Sequence, residues 1–343
     1  AISAWDQASD PYASDALDAV TATGGACEYI LWSQGEEDAR IGTTQGAYET
    51  ALATTIAMFR ANITNRSTKT NLPFLIGTLG RGEASALGSE AQADAIRKAQ
   101  FAAAAAGSDV YIAASALDLP LTDAVHFTSA GYVTYAQRFA HTIKYLLGTV
   151  SYCRGPYIAS AVVVDSTHTD VTITHRGGTD FTPASPTNVN GFEIDDGGSI
   201  VVPSAAVRQS ATVVRLTHAT IGASATLRYG YGMDGGQTHA TTFANALKDN
   251  SAMALPLEQF SGQDISEGID LTANNLTGAA PTLGTPALTF ASATVTLVDE
   301  SNSPQTGLSS LKWAWFDQIT PDLFVAPTDK GSAESTDGSG ALT

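Results

Sequence analysis

The sequence predicts an α/β region in residues 1–150, followed by antiparallel β modules. In the first part, short apolar runs alternate with single helix-length segments, and strands joined by single helices form a parallel sheet through right-handed crossovers. After Gly148 the chain consists of short alternating or β-branched runs that Gly, Asn, Asp and Pro separate, which is typical of antiparallel β-sandwiches. A chain of 343 residues is long enough for about two or three such units.

The elements of the α/β region follow from capping residues and hydrophobic periodicity. A first helix begins at Asp10-Pro11, an N-cap followed by proline at the first helical position, and ends before Gly24-Gly25. Periodic apolar residues predict further helices over residues 44–62, 89–106 and 129–147, and short apolar runs predict strands over residues 29–32, 73–79 and 109–114. Three strands are few for such a sheet, so we expect that one or two strands are missing before Ala1. They would come from upstream sequence, from another chain or from nowhere.

The second part divides into three segments. Residues 151–258 are predicted to form an antiparallel β-sandwich of about seven strands, and the composition of residues 259–286 predicts a linker. Residues 287–343 are predicted to begin a further β module. The strands expected in these segments cover residues 159–164, 170–174, 191–195, 200–203, 211–217, 225–231, 287–298 and 311–316. Both ends of the chain look cut, so we expect it to be a segment of a longer polypeptide.

The composition excludes several classes of partner and site. A net charge of −17 without a basic patch argues against binding to nucleic acid or to an anionic membrane. No apolar stretch reaches 18 residues. With only Cys27 and Cys153, neither a disulfide framework nor a Cys-rich zinc site can form, and the sequence leaves open whether these two thiols pair.

A first candidate site follows the apolar run at residues 29–32. The run stops at Ser33, Gln34, Gly35 and Glu36, and Gly35 allows a sharp turn at the end of a strand. Ligands of parallel α/β sheets bind outside the carboxyl ends of the strands, so an amide, a glycine and a carboxylate placed there indicate a site. The alternative is an ordinary strand followed by a polar loop. Glu37 and Asp38 are expected to be solvated, and neighbouring carboxylates of this kind rarely converge on one metal ion.

A second candidate site is Asp123-Ala-Val-His126, between the third predicted strand and the last helix. It therefore lies on the same carboxyl edge as Gln34. In a hydrolytic triad a carboxylate orients an imidazole, which takes a proton from a serine. The alternative is that chance or helix capping explains an Asp-x-x-His motif. The remaining histidines of the β region, His168, His175, His218 and His239, fall at predicted turns or strand ends and are expected at the surface.

Together these motifs resemble the SGNH hydrolase superfamily, and in particular its sialate O-acetylesterase-like and acetylxylan-esterase-like branch. The likeness rests on Trp32-Ser-Gln-Gly-Glu36 and on Asp123-x-x-His126-Phe-x-x-x-Gly131. Arg97-Lys-Ala-Gln100 also resembles an Arg-x-x-Gln stretch of that branch, and residues 245–256 resemble the segment that closes those esterases. The resemblance covers about residues 25–255 and implies an incomplete SGNH-type, three-layer parallel sheet.

The resemblance implies roles for individual residues. His126 would be the general base, Asp123 its orienting carboxylate, and the amide of Gln34 a donor to the oxyanion hole. Gly35 would allow close backbone approach, with Trp32, Glu36 and Arg97 in support. Neither a cofactor nor a metal is implied.

The nucleophile is the main departure from that family. The family's serine lies in a Gly-Asp-Ser or Gly-Gln-Ser-Asn block on an earlier strand, and no such block precedes Glu28. Ser33, Ser89, Ser108 and Ser129 do not have the glycine-flanked strand-to-helix setting that exposes a nucleophile. The nucleophile is therefore expected upstream of Ala1, and this chain alone is expected to be inactive.

A softer resemblance concerns the tail of the chain. Residues 307–317, 320–322 and 336–340 resemble repeat-type β modules of bacteriophage tail proteins. The two resemblances together predict a segment of a tail fibre or spike, located in the virion or extracellularly, with a carbohydrate O-acetylesterase domain. Its partners would be an O-acetylated cell-surface polysaccharide and other tail proteins, and a homotrimer is expected of a fibre. The alternative is a non-enzymatic receptor-binding or structural module on a degenerate esterase scaffold.

Overall fold

The fold is that of a computed structural model, which describes residues 1–182, 191–231, 246–267, 314–316 and 323–325. Residues 1–268 form one compact unit and residues 269–343 form another. The first unit contains an α/β region, residues 1–150, and a β region, residues 151–267. No helix among the described residues is long and apolar enough to cross a bilayer.

The α/β region has a parallel sheet with helices on both faces. Its helices are α1 (Pro11–Ala22), α2 (Glu36–Ile41), α3 (Gln45–Asn62), α4 (Ala84–Leu87), α5 (Glu90–Ala106) and α6 (Ser129–Leu146), after a short 3-10 turn at Ile2–Ala4. Its strands are β1 (Ala26–Cys27), β2 (Ile30–Ser33), β3 (Thr64–Asn65), β4 (Phe74–Gly77) and β5 (Val110–Ala114). Strands β2, β4 and β5 pair in parallel in that order, and β1 and β3 form a separate parallel pair.

Two hydrophobic clusters cover the two faces of this sheet. Phe74 and Ile76 of β4 pack with α3 and α5, whereas Leu75 packs with α6, as the alternation of side chains along a strand requires. The region is therefore a three-layer α/β/α arrangement, as expected from the sequence.

Local capping explains where the helices begin. Helix α1 follows Asp10 and has Pro11 in its first turn, although the Asp10 carboxylate accepts from Gln7 N rather than capping the helix. Helix α5 has a complete capping box, in which Ser89 Oγ accepts from Gln92 N and Gln92 Oε1 accepts from Ser89 N. The predicted helices and strands of this region are thus present, and the short helices α2 and α4 are additions.

The β region differs in detail from the predicted sandwich. Its strands are β6 (Tyr157–Asp165), β7 (His168–Thr174), β8 (Phe181–Thr182), β9 (Phe192–Asp196), β10 (Ser199–Val201), β11 (Ala205–Ser210), β12 (Val213–Thr217), β13 (Thr226–Tyr229), β14 (Lys248–Asp249) and β15 (Phe260–Glu267). Among the described residues, eight of them form one sheet in the order β10-β9-β13-β15-β6-β7-β12-β11. Neighbouring strands are antiparallel except for β15 and β6, which pair in parallel.

Strand β15 corrects the prediction of a linker that begins at residue 259. The composition there, rich in Ser, Gly and Asp, hides an alternating pattern in which Ile265 is buried in the core of the β region. Pairing with both β13 and β6 supplies the backbone hydrogen bonds that make this polar segment a central strand. The rest of the proposed linker lies outside the described residues.

Little of the second unit is described. Strands β16 (Ala314–Phe316) and β17 (Leu323–Val325) pair in antiparallel fashion. Strand β16 falls within the predicted run at residues 311–316, whereas the run at residues 287–298 lies outside the described residues. In the first unit, Cys27 and Cys153 are free thiols, which answers the question of pairing that the sequence left open.

Candidate active site

The candidate site lies at the carboxyl edge of the parallel sheet, where three loops follow β2, β4 and β5. The first loop is Gln34-Gly35, the second covers residues 78–83, and the third covers residues 115–128 and is called the dyad loop below. Thr78 N donates to Ala114 O at 2.8 Å, and Glu83 N donates to Ala124 O at 2.8 Å, so the second loop is hydrogen-bonded to the end of β5 and to the dyad loop.

Asp123 and His126 meet in the dyad loop, as the sequence predicted. His126 Nδ1 lies 2.9 Å from Asp123 Oδ2 and 3.0 Å from Asp123 Oδ1. A carboxylate accepts only, so this contact places the ring proton on Nδ1 and leaves the Nε2 lone pair available as a base. No described residue hydrogen-bonds to Nε2, and the side chains of His126 and Asp123 are 67% and 52% exposed.

The carboxylate of Asp123 also organises the backbone of its own turn. Its Oδ1 accepts from Val125 N at 3.0 Å and from His126 N at 2.8 Å. The hydrogen bonds from these two amides, together with His126, lower the pKa of Asp123 to about 2. Asp123 is therefore ionised over the whole neutral range, as an orienting carboxylate must be.

The β region contains a second pair with the same local geometry. In the turn between β6 and β7, His168 Nδ1 lies 2.8 Å from Asp165 Oδ1, and Asp165 Oδ1 accepts from Thr167 N at 2.8 Å. An Asp-x-x-His turn in which the carboxylate bonds to its own backbone therefore also forms in a turn outside the candidate site. The contact within the Asp123–His126 dyad is therefore not diagnostic by itself, and its place at the sheet edge is what distinguishes it.

The Gln34 side chain is held by two residues that the sequence did not single out. Gln34 Oε1 accepts from Tyr48 Oη at 2.9 Å, and Gln34 Nε2 donates to Asp38 Oδ2 at 2.6 Å. This fixes the orientation of the amide and occupies one of its two N–H groups. The second N–H group makes no hydrogen bond to a described residue.

Asp38 is buried, which corrects the expectation that it is solvated. Besides the amide of Gln34, it accepts from Ile2 N at 2.7 Å and from Thr43 Oγ1 at 2.9 Å. Short-range polarity in the sequence could not reveal this, since the partners come from the start of the chain and from the turn after α2. Glu37, by contrast, is half-exposed and pairs with Arg40.

The structure explains why glycine occupies position 35 and glutamate position 36. Gly35 has a φ of +146°, and a Cβ there would lie 2.8 Å from Ile96 Cγ2, so only glycine allows α5 to approach this closely. Glu36 begins α2, where a carboxylate is favourable beside the positive end of the helix dipole. Trp32 is buried and packs edge-on against Trp5 at 5.3 Å, so its role is to hold β2 in the core.

Arg97 and Gln100 of α5 connect the first loop to the second. Gln100 Nε2 donates to Gln34 O at 2.9 Å, and Gln100 Oε1 accepts from Leu79 N at 2.8 Å. Arg97 donates to Gly80 O at 3.0 Å and pairs with Glu90 at 2.5 Å. The Arg-x-x-Gln spacing therefore places two buried side chains on one helix face, where they hold the backbone of both loops.

The first loop, which carries Gln34, and the dyad loop, which carries His126, are linked through the second loop. Phe127, next to His126, packs against Gly80, where a Cβ would lie 3.2 Å from its ring. Among the described residues, no hydrogen bond joins Gln34 to His126. Ser33 lies nearby, but its Oγ is 3.1 Å from the Tyr135 hydroxyl, whose pKa is raised by burial, so this pair offers no base to activate Ser33.

The remaining predictions concern the other serines, a metal site and the other histidines. Ser89 caps α5, Ser129 begins α6, and no serine in the described part of the chain hydrogen-bonds to His126. No group of three or more His, Cys, Asp or Glu among the described residues is arranged to hold a metal ion. His218 is buried, contrary to expectation, and its Nε2 lies 2.9 Å from Thr169 Oγ1. His239 lies outside the described residues.

Comparisons with known proteins bear on this region. Residues 1–145 match the family model described as carbohydrate esterase, sialic acid-specific acetylesterase. This range contains every candidate site residue named above. Residues 1–145 are therefore similar to a carbohydrate acetylesterase domain. A search of curated proteins found no match.

Among solved structures, the chain is similar to a carbohydrate acetylesterase from Xanthomonas citri. The TM-score is 0.50 at 19% identity, and the match covers 68% of this chain and 50% of that chain, which supports a shared fold. The chain thus spans half the length of that structure. The N-terminal part of the bacterial S-layer protein SbsC matches with 16% identity over 54% of this chain and 35% of that chain, with a TM-score of 0.24.

Proposed function

We propose that this chain is part of a carbohydrate O-acetylesterase that removes acetyl groups from a polysaccharide by serine-ester hydrolysis. The observation that carries the proposal is the Asp123–His126 contact of 2.9 Å, placed at the carboxyl edge of the parallel sheet. The amide of Gln34, which Tyr48 and Asp38 hold, follows strand β2 of the same sheet. In this proposal the serine comes from sequence upstream of Ala1, as the resemblance to the SGNH hydrolases implies, and no described serine hydrogen-bonds to His126.

The chemistry assigns one step to each group. His126 Nε2 takes the proton of the serine hydroxyl while the serine oxygen attacks the acetyl carbonyl carbon. The bond from that carbon to the sugar oxygen breaks, and the sugar oxygen leaves with the proton from His126. Water then hydrolyses the acetyl-serine to acetate by the same proton transfers. Asp123 stabilises the imidazolium, and Gln34 Nε2 donates to the oxyanion, a contribution of about 3 kcal/mol when preorganised.

The test compares the two Asp–His pairs of the chain. In the intact polypeptide, His126→Ala should lower the rate of acetate release from an O-acetylated polysaccharide by about 10³-fold or more, because the nucleophile loses its base. His168→Ala removes an imidazole with the same carboxylate contact in a β-hairpin turn, and it should leave the rate unchanged. Acetate release that is unaffected by His126→Ala would refute the proposal.

A non-enzymatic module is the second candidate, favoured by the lack of a described serine that reaches His126. On this alternative the α/β region is a degenerate scaffold that binds a glycan or supports neighbouring modules. Intact mass with sequencing of both ends of the native protein separates the two. A serine block in upstream sequence favours the esterase, whereas a mass that matches this chain, 35.4 kDa, favours the binding module.

The proposed setting is a bacteriophage tail fibre or spike, in the virion or otherwise extracellular. The resemblance of the tail to phage β modules supports it, together with the acidic composition. The substrate is then an O-acetylated glycan on a cell surface, and the partners are other tail proteins, with a homotrimeric assembly. Sedimentation of the intact protein at micromolar concentration tests the trimer directly.

A further inference from the structure

The dyad loop belongs to the α/β region, but its first residues, called its base below, pack against the β region. Leu117 is fully buried, at 0% exposure, and belongs to the hydrophobic core of the β region together with residues of β7, β9, β12 and β13. Gly230, which follows β13, lies against it, and a Cβ there would be 3.0 Å from Leu117 Cδ1. The core of the β region is therefore incomplete without this side chain.

The next residue carries an ion pair between the two regions. Asp118 is buried and accepts from Arg138 of α6 at 2.6 Å and 3.0 Å, and Lys248 Nζ of β14 lies 2.8 Å from its Oδ2. Burial by itself would raise the pKa of Asp118, but Arg138 and Lys248 together hold it below its ordinary value. Arg138 comes from the α/β region, so Lys248 is the partner that connects this carboxylate to the β region.

A short, hydrogen-bonded path connects this base to the dyad. Arg81 donates to Leu117 O at 2.5 Å and to Leu119 O at 3.0 Å. Beyond that point, Thr128 N donates to Pro120 O at 2.9 Å, and Thr122 N donates to His126 O at 2.8 Å. The loop therefore closes on itself just beyond its base.

The dyad has little packing of its own, since both side chains are more than half exposed. An exposed pair of this kind keeps one orientation only if the backbone that carries it is held elsewhere. The loop is anchored to the β region at its base, at Leu117 and Asp118, and it is also hydrogen-bonded to the second loop beside the dyad, where Glu83 N donates to Ala124 O.

We infer that the β region positions the Asp123–His126 dyad, with Lys248 as a positioning residue that acts through Asp118, and Leu117 as the apolar anchor. The β region is then part of the machinery of the α/β site rather than a separate module. The inference rests on the proposed function only where the dyad is called catalytic, since the positioning of the loop can be measured without turnover.

The experiment is amide hydrogen exchange of residues 116–128 in the full chain. Lys248→Met removes the ammonium group and keeps the length of the side chain, and it should speed exchange in this segment by about fivefold to tenfold. Lys248→Arg keeps the charge and should restore the slow rate. Lys98→Met is the matched control, because Lys98 Nζ also pairs with a carboxylate, Asp94, at 2.9 Å, but within one helix and half-exposed.

A second control separates this effect from a general loosening between the two regions. Ser261 Oγ of β15 donates to Asp94 of α5 at 2.7 Å, a contact between the regions that does not involve the dyad loop. Ser261→Ala should therefore leave exchange of residues 116–128 unchanged. If Lys248→Met unfolds the protein, exchange of β4 and β12 rises as well, and Leu117→Val, which removes one methylene, then takes its place with the same expected result.

Each outcome decides the inference separately from the function. Unchanged exchange of residues 116–128 in Lys248→Met overturns the inference, even if the intact polypeptide hydrolyses acetyl esters. Faster exchange in Lys248→Met but not in Ser261→Ala supports it, even if no esterase activity is found. In an active polypeptide, Lys248→Met should lower kcat several-fold and leave KM nearly unchanged, with recovery in Lys248→Arg.

Discussion

At the scale of single residues, the position of a side chain in the fold and the neighbours that hold it matter more than the local sequence motif. The Asp123–His126 contact and the Asp165–His168 contact differ by about 0.1 Å, yet only the first lies where parallel strands end. Gln34 illustrates the same point, since the amide is a useful donor only because Tyr48 and Asp38 fix which way it faces. A functional side chain thus depends on neighbours that hold it, and these neighbours come from distant parts of the chain.

Glu193 is a buried carboxylate outside the candidate site whose protonation should control stability. It lies on β9 at 2% exposure, and its Oε1 makes no hydrogen bond to a described residue. The charged groups that act on its pKa are Arg228 of β13, which pairs with Asp195, and Glu90 of α5, which pairs with Arg97. Burial, with a smaller contribution from Glu90, raises the pKa of Glu193 from 4.5 to about 7.

This raised pKa predicts a loss of stability with rising pH. Between about pH 4.5 and pH 7 the folded state keeps a proton that the unfolded chain releases, so stability is greatest at the acid end and falls until the folded carboxyl ionises. Glu193→Gln should remove this slope, and at pH 8 it should raise the free energy of unfolding by about 2 kcal/mol. Urea unfolding at pH 5 and pH 8 is the measurement.

Glu49→Gln is the control for that prediction, because Glu49 of α3 is only partly buried and accepts a hydrogen bond from Gln45. It should keep the difference between the two pH values. A Glu193→Gln protein whose stability still falls between pH 5 and pH 8 by as much as that of the parent would contradict the assignment.

At the scale of elements, helix α5 organises the sheet edge. Residues 97 and 100 are three apart, so their side chains lie on one face and reach the loops after β2 and β4 together. Gly35 makes this approach possible, because a side chain there would collide with Ile96 of the same helix. The resemblance to the esterases marked Arg97 and Gln100, but only the helix packing explains what they do.

The hydrogen bonds of Gln100 predict a large cost for their removal. Gln100→Leu keeps the approximate volume but leaves Gln34 O and Leu79 N without their partner in a buried place. We expect the free energy of unfolding to fall by about 2–4 kcal/mol, and the rate of acetate release by the intact polypeptide to fall with it. Thermal unfolding and the rate assay measure the two effects.

Gln45→Leu serves as the comparison, since Gln45 is exposed on α3 and bonds only to Glu49. It should change the free energy of unfolding by less than about 0.5 kcal/mol. Equal effects of the two substitutions would mean that Gln100 does not hold the loops.

At the scale of the whole molecule, the α/β and β regions share one compact unit, residues 1–268. Leu117 completes the core of the β region, and Asp118 joins Lys248 across the boundary. The change of pattern near residue 150 therefore marks a change of architecture and not a boundary between independent domains.

The shared core predicts cooperative unfolding of the two regions. Amides of β4 and of β12 should exchange through the same global opening, with equal free energies and an equal dependence on urea. Hydrogen exchange at increasing urea concentrations, with the full chain, is the measurement. If β12 keeps its protection at urea concentrations where β4 is already exchanging, the two regions unfold independently.

The sequence by itself determined the elements and the local motif. Apolar periodicity and caps act over a few residues, so they predicted the three strands and long helices of the α/β region, the Gly35 turn and the Asp123–His126 pair. The composition wrongly predicted a linker where β15 lies, because a polar segment forms a strand when neighbouring strands pair with its backbone.

Only the tertiary structure decided which distant groups meet. Asp38 is buried because Ile2 and Gln34 bind it, and the dyad loop is held because Leu117 enters the core of the β region. Burial and ion pairing depend on residues that are far apart in the chain, such as Asp118 and Lys248, and no local pattern records which of them come into contact.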